Sequence, residues 1–125
     1  HKIILPNGSV LHYPALEQHT NPDTGETGLR YLNRGQWTKI YSGLLCENII
    51  QALARGVIVE YLVIIGDKYG VSLQVHDEIV SVVPKSLVDE AKQFIDLTMS
   101  TPVAWLPGLP VACEVKDGPN YGAAK

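Results

Sequence analysis

The chain has 125 residues, 46% of them hydrophobic and 18% charged, with 10 Lys and Arg against 13 Asp and Glu. That leaves room for one packed domain and little more, and excludes a disordered tail or a collagen-like repeat. No uninterrupted apolar run reaches the roughly 18 residues of a membrane span, and no basic stretch precedes an apolar one at the N-terminus, so the expectation is a cytoplasmic chain with no membrane partner. Cys46 and Cys113 lie far apart, with no C-x-x-C and no clustered histidines, which disfavours a zinc site or a disulfide framework and predicts reduced thiols. The sole methionine is Met99, so a chain starting at His1 is expected to be a piece of a longer product.

Charge is uneven. Residues 1–40 carry Lys2, Arg30, Arg34 and Lys39 against Glu17, Asp23 and Glu26, whereas the remainder carries six basic and ten acidic side chains. Composition offers no basic patch beyond the loose group Arg30, Arg34 and Lys39, which argues against a stand-alone DNA binder relying on phosphate neutralisation.

In chain order, Lys2 to Tyr13 places two β-prone runs around Asn7-Gly8, a pair that readily takes the positive φ of a tight turn, and so predicts a hairpin. Residues 14–28 collect Pro14, Asn21, Pro22, Asp23, Gly25 and Gly28 and read as a mobile, turn-rich loop, followed by a short strand over Leu29 to Asn33. An i,i+4 ladder of Leu45, Ile49, Leu53, Val57, Tyr61 and Ile65 predicts one long helix, with Ser42 as its N-cap and Gly66 or Gly70 as its stop. Asn48, Gln51 and Arg55 form a polar stripe along its first half. The run Val57 to Ile65 is apolar on almost every side, and as a helix it is expected to be buried.

Val71 to Val83 reads as two short strands with His76, Asp77 and Glu78 at their junction, a hairpin with an acidic tip. Val75 and Ile79 are expected to point into the core. Lys85 to Met99 is a second amphipathic helix with apolar positions Leu87, Val88, Ala91, Phe94, Ile95 and Thr98. Trp105-Leu-Pro-Gly-Leu-Pro110 then breaks the chain, and Val111 to Val115 is expected to form a last strand. The predicted class is α+β, an antiparallel sheet with a long helix and a second helix packed on it.

Adjacent Asp77 and Glu78 repel each other and gain nothing from a core, so something must compensate. Hard Mg²⁺ or Mn²⁺ ions take carboxylate oxygens, and a hairpin tip can present such oxygens towards phosphate. Alone, the triplet also fits a solvated turn. The Asn48, Gln51, Arg55 stripe fits a solvated helix face, although amides can also read the acceptors of a DNA minor groove.

The combination is more telling. Tyr41-Ser-Gly-Leu-Leu-Cys-Glu-Asn-Ile-Ile-Gln-Ala-Leu-Ala-Arg55, then Leu73-Gln-Val-His-Asp-Glu-Ile-Val80, then Pro102, Trp105, Gly108, Leu109 and Pro110 with Tyr121-Gly122, resembles the C-terminal palm segment of phage-type family A DNA polymerases, the middle stretch being their motif C. The resemblance covers about two thirds of the chain and divides it into an N-terminal hairpin and loop, residues 1–36, and a partial palm, residues 37–125. It implies a fragment of a DNA-directed DNA polymerase, a nucleotidyltransferase using two metal ions, encoded by a phage or prophage and working in the bacterial cytoplasm.

By position, the resemblance makes Asp77 a catalytic carboxylate and metal ligand, Glu78 its acidic neighbour, His76 a contact near the primer terminus, and Gln51 a minor-groove contact, with Asn48 and Arg55 on the same face. The implied cofactor is Mg²⁺ or Mn²⁺ in the complete enzyme, weakly bound or absent in the fragment. The implied partners are primer-template DNA, a deoxynucleoside triphosphate and the rest of the polymerase.

Two departures are local: Cys46 stands where such enzymes often have Thr, and Gly56 where phage types usually have Asp. A larger one is that the family's other aspartate, in an Asp-Tyr-Ser motif followed by Glu and Arg, has no counterpart, and neither has the nucleotide-gripping helix. The isolated chain is therefore expected not to polymerise. Without the neighbouring strand its motif C hairpin should offer an open edge, filled either by the Lys2 to Tyr13 hairpin or by a second copy in a homo-oligomer. Two other readings stand beside this one: a split or degenerate prophage product acting as a non-enzymatic DNA- or protein-contacting module, and a hydrolase whose metal is held by Asp77 and Glu78 with Glu47, Glu60 or Asp67.

Overall fold

A computed structural model of the chain describes residues 1–124. The chain divides into two compact units, one ending at Arg55 and the other starting at Gly56, inside a single helix. In order the elements are β1 (Lys2–Ile4), β2 (Val10–His12), β3 (Glu17–Thr20), β4 (Thr27–Asn33), β5 (Gln36–Ile40), α1 (Ser42–Tyr69), β6 (Leu73–Val75), β7 (Glu78–Val80), a 3₁₀ turn (Lys85–Leu87) and α2 (Val88–Met99). The α+β class and its two helices match the sequence reading, with the antiparallel pairing shared among three small sheets, β1-β2, β3-β4-β5 and β6-β7.

In the first unit, β1 and β2 close around Gly8, whose φ of +81° is the left-handed conformation that suits Asn-Gly. The Asn7 side-chain carbonyl accepts from both the amide and the hydroxyl of Ser9. This hairpin forms a two-stranded sheet of its own.

The turn-rich loop expected over residues 14–28 is broken by strand: β3 occupies Glu17–Thr20, and β4 already begins at Thr27. Its punctuation is concentrated in one hairpin tip, where Asn21 Oδ1 accepts from Asp23 N at 2.8 Å and Gly25 takes φ +70°, leaving Glu17–Thr20 free to pair with Thr27–Arg30. β5 is a further strand for which the sequence reading has no counterpart. Arg34 and Gly35, both at positive φ (49° and 82°), make a two-residue turn that returns the chain from Asn33 to Gln36, and such a turn matches the twist of the strands it joins. Tyr13 is buried, with its ring edge-on to Tyr31.

α1 runs over 28 residues and stops where Gly70, at φ +71°, donates its amide to the Gly66 carbonyl. Gly56 sits within it at a cost of about 1 kcal/mol relative to Ala. By length and composition α1 is long enough and apolar enough to cross a membrane. Counting unbroken apolar residues overlooks this, because an isolated charge such as Glu60 interrupts a run without making its average polar.

Only one stripe of α1 is buried in protein. Val57, Tyr61 and Ile65 recur every fourth residue and form, with Val103, the core of the second unit, against which Phe94, Ile95 and Met99 of α2, Ile79 of β7, and Trp105, Leu106 and Leu109 pack. The expectation that the whole Val57 to Ile65 run is buried fails on the other side, where Val59, Val63 and Ile64 are exposed, since α2, β7 and the segment after α2 cover only one face of the helix. Val111 to Val115 is not a strand, and among the described residues no sheet of the second unit extends beyond the β6-β7 pair. Both cysteines are free thiols, Cys46 exposed and Cys113 half-buried.

Two polar bonds fix the segment after α2. The Tyr61 hydroxyl donates to the Thr101 carbonyl at 2.9 Å, and Trp105 Nε1 donates to Glu60 at 2.5 Å. Burial first, then the charges of Glu60 and Cys113, push the Tyr61 phenol above its ordinary value. A raised folded-state value favours the folded state below the unfolded phenol's pKa of 10.0, a contribution lost as pH rises from there through the folded value.

Tyr61→Phe is expected to cost about 1 kcal/mol at neutral pH, the scale of one lost hydrogen bond. It should also flatten the fall of thermal stability above pH 10. Melting followed by circular dichroism from pH 7 to 11 checks both, and equal slopes for variant and parent would show that Tyr61 is not a source of the alkaline loss.

Candidate active site

The acidic hairpin tip has a simple local cause. Val75 pairs with Glu78, Gln74 with Ile79 and Leu73 with Val80, so only His76 and Asp77 remain to turn the chain. A two-residue connection needs a positive φ, and His76 supplies it at 51°. The Gln74 side-chain amide donates to the His76 carbonyl and braces the turn from within the hairpin.

This register decides which side chains share a face. Directly opposed residues lie on one face and alternate residues change face, so Ile79 goes with Gln74 and Val75 goes with Glu78. Ile79 packs on the core as expected, but Val75 stands on the opposite face and does not join it. A core role for both is incompatible with a two-residue turn.

His76, Asp77 and Glu78 are all exposed. Their hydrogen bonding is unequal. Glu78 accepts a hydrogen bond from the Tyr121 hydroxyl, which ties the chain's closing segment to the hairpin. Asp77 makes no hydrogen bond or ion pair among the described residues and presents its oxygens to water. The Tyr121 contact spans 43 positions, so no local pattern could announce it.

The other predicted residues close the first unit. Gln51 is exposed and donates from Nε2 to Glu47 one turn earlier at 3.0 Å, a bond within the helix surface that is readily exchanged. Asn48 Nδ2 donates to the Tyr13 hydroxyl at 3.2 Å, so this amide is engaged by the N-terminal hairpin and the polar stripe is not uniformly available. Arg55 is exposed.

Carboxylate oxygens suit a hard divalent ion in kind. They do not suit it in number here: among the described residues no three His, Cys, Asp or Glu side chains gather as a metal site, and Glu60 is bound to Trp105. A self-sufficient hydrolase centre on Asp77 and Glu78 is therefore not formed, and what the tip provides is one free carboxylate beside one that is held.

Comparison with known proteins bears on what this tip belongs to. No family model matches the chain, and no solved structure does. The chain is 32% identical over 116 residues to a protein of Bacillus phage SP02 described as a DNA polymerase. The aligned stretch is 88% of this chain but only 18% of the phage protein, so the chain is similar to one part of a phage DNA polymerase.

Proposed function

We propose that the chain supplies part of the palm of a phage-type family A DNA polymerase, with Asp77 as a catalytic carboxylate. The observation that carries this reading is the exposed, unpartnered Asp77 on a tight hairpin tip, in a chain similar along most of its length to a phage DNA polymerase. A solvated turn accounts for an exposed aspartate, but it does not account for the similarity of most of the chain to a phage DNA polymerase.

In this reading the Tyr121 hydroxyl holds Glu78, which leaves Asp77 as the oxygen donor facing the substrate. His76 lies beside the primer terminus. Gln51 contacts the minor groove of the newly formed pair, with Arg55 on the same face, whereas Asn48 contributes through its bond to Tyr13. Metal ions, when held between Asp77 and carboxylates contributed by the rest of the enzyme, supply charge stabilisation for nucleotidyl transfer. The partners are primer-template DNA, a deoxynucleoside triphosphate and the remaining parts of the polymerase, in the cytoplasm of a bacterial host. The β6-β7 pair has no further strand on either side among the described residues, so alone the chain uses a second copy to cover this edge.

The chain by itself should add no nucleotide to a primed template with Mg²⁺ or Mn²⁺. In a complete polymerase carrying this segment, Asp77→Ala should abolish primer extension while leaving DNA binding largely intact, and Gln51→Ala should weaken primer-template handling with a smaller loss of rate. Extension that survives Asp77→Ala in purified enzyme would remove the assignment. Light scattering over a concentration series should show the isolated chain growing in mass as concentration rises, and a monomer at every concentration would contradict the covered edge.

A further inference from the structure

The basic group Arg30, Arg34 and Lys39 has no part in the reading above, and the β3-β4-β5 sheet gives it a shape. Lys39 and Glu17 flank Arg30 across the strands, His19 faces Gly28, and Trp37 faces Leu32. Opposed residues and residues two apart share a face, so Trp37, Arg30, Lys39 and His19 stand together along one shallow groove. Trp37 is 46% exposed, and the Arg30 guanidinium lies 4.3 Å from its ring centre.

The acids in the groove do different things. Glu17 Oε1 accepts from Arg30 Nε at 2.8 Å and lies 2.6 Å from its Nη2, which fixes the guanidinium over the indole. Glu26 is 3.6 Å from Lys39, and both side chains are largely solvated. A pair of that kind is weak and salt-screened, so Lys39 remains open to another anion. Arg34, exposed on the adjoining turn, makes no hydrogen bond or ion pair among the described residues.

We infer that this sheet face is a contact for single-stranded nucleic acid, with a base stacked on the exposed part of Trp37 that Arg30 leaves uncovered and phosphates met by Lys39 and Arg34. An exposed aromatic ring with fixed and mobile cations around it is what sequence-tolerant binding of a single strand requires. A duplex hides its base faces and gains nothing from the indole, and an acidic peptide would use the cations alone. The inference uses neither Asp77 nor Gln51, and so stands or falls apart from the polymerase assignment.

The test is fluorescence anisotropy of a labelled oligo-dT with the intact chain at low salt, beside a duplex of equal length. The single strand should bind more tightly. Trp37→Ala should weaken it roughly tenfold or more, the scale of one stacked base, and Trp37→Phe should restore most of the loss. Lys39→Gln should weaken binding severalfold and reduce the magnitude of the salt slope by about 1, whereas Lys85→Gln, an exposed lysine of the other unit, should change neither. If Trp37→Ala does not fold, the Lys39 salt slope and the shift of the Trp37 indole NH resonance on adding oligo-dT decide the matter. Tighter duplex binding, or an indifferent Trp37 or Lys39, overturns the proposal.

Discussion

The stripe of Val57, Tyr61 and Ile65 is the constraint on which the second unit depends. α2 is short and amphipathic, β6-β7 is a bare pair, and the segment around Trp105 has no regular structure of its own. Each becomes ordered by covering the same face of α1. Since hydrophobic burial is non-directional, the stripe alone would admit many ways of laying that last segment down. The bonds from Tyr61 to Thr101 and from Trp105 to Glu60 select one. Both start from adjacent positions on α1, so a single helical turn sets the course of the chain after α2.

That arrangement explains which parts of the structure were legible in the sequence. Period-four apolar residues, a terminal glycine and a pair of short β runs are local signals, and they located α1, α2 and both outer hairpins. The three-stranded sheet was hidden because its turn residues, Asn21 to Gly25 and Arg34-Gly35, lie so close together that they resemble a loop until the pairing between them is known. The failed strand at Val111 to Val115 shows the opposite error: β-prone residues were present, but a strand also needs a partner edge.

The candidate site is read from its residue types, and its bonding is what the sequence leaves out. Asp77 and Glu78 stand out as an adjacent acidic pair on an apolar run, and the tight turn puts Asp77 at the tip and Glu78 at the first position of β7. What separates their bonding is Tyr121, and no spacing rule connects it to Glu78. The Asn48, Gln51, Arg55 stripe was likewise a correct statement about helical angle, yet Asn48 is drawn out of it by Tyr13, a residue of a different hairpin. Side-chain partners reached through tertiary structure are what periodicity leaves out.

The left-handed backbone at His76 limits what natural variation can do at that position. Asparagine, aspartate, histidine and above all glycine tolerate such a φ, whereas β-branched residues do not. Substitutions there are thus filtered first by conformational tolerance and only afterwards by imidazole chemistry. A drift to Asn or Gly would leave the fold of the tip intact, and a drift to Val or Ile would distort the presentation of Asp77 without touching any carboxylate.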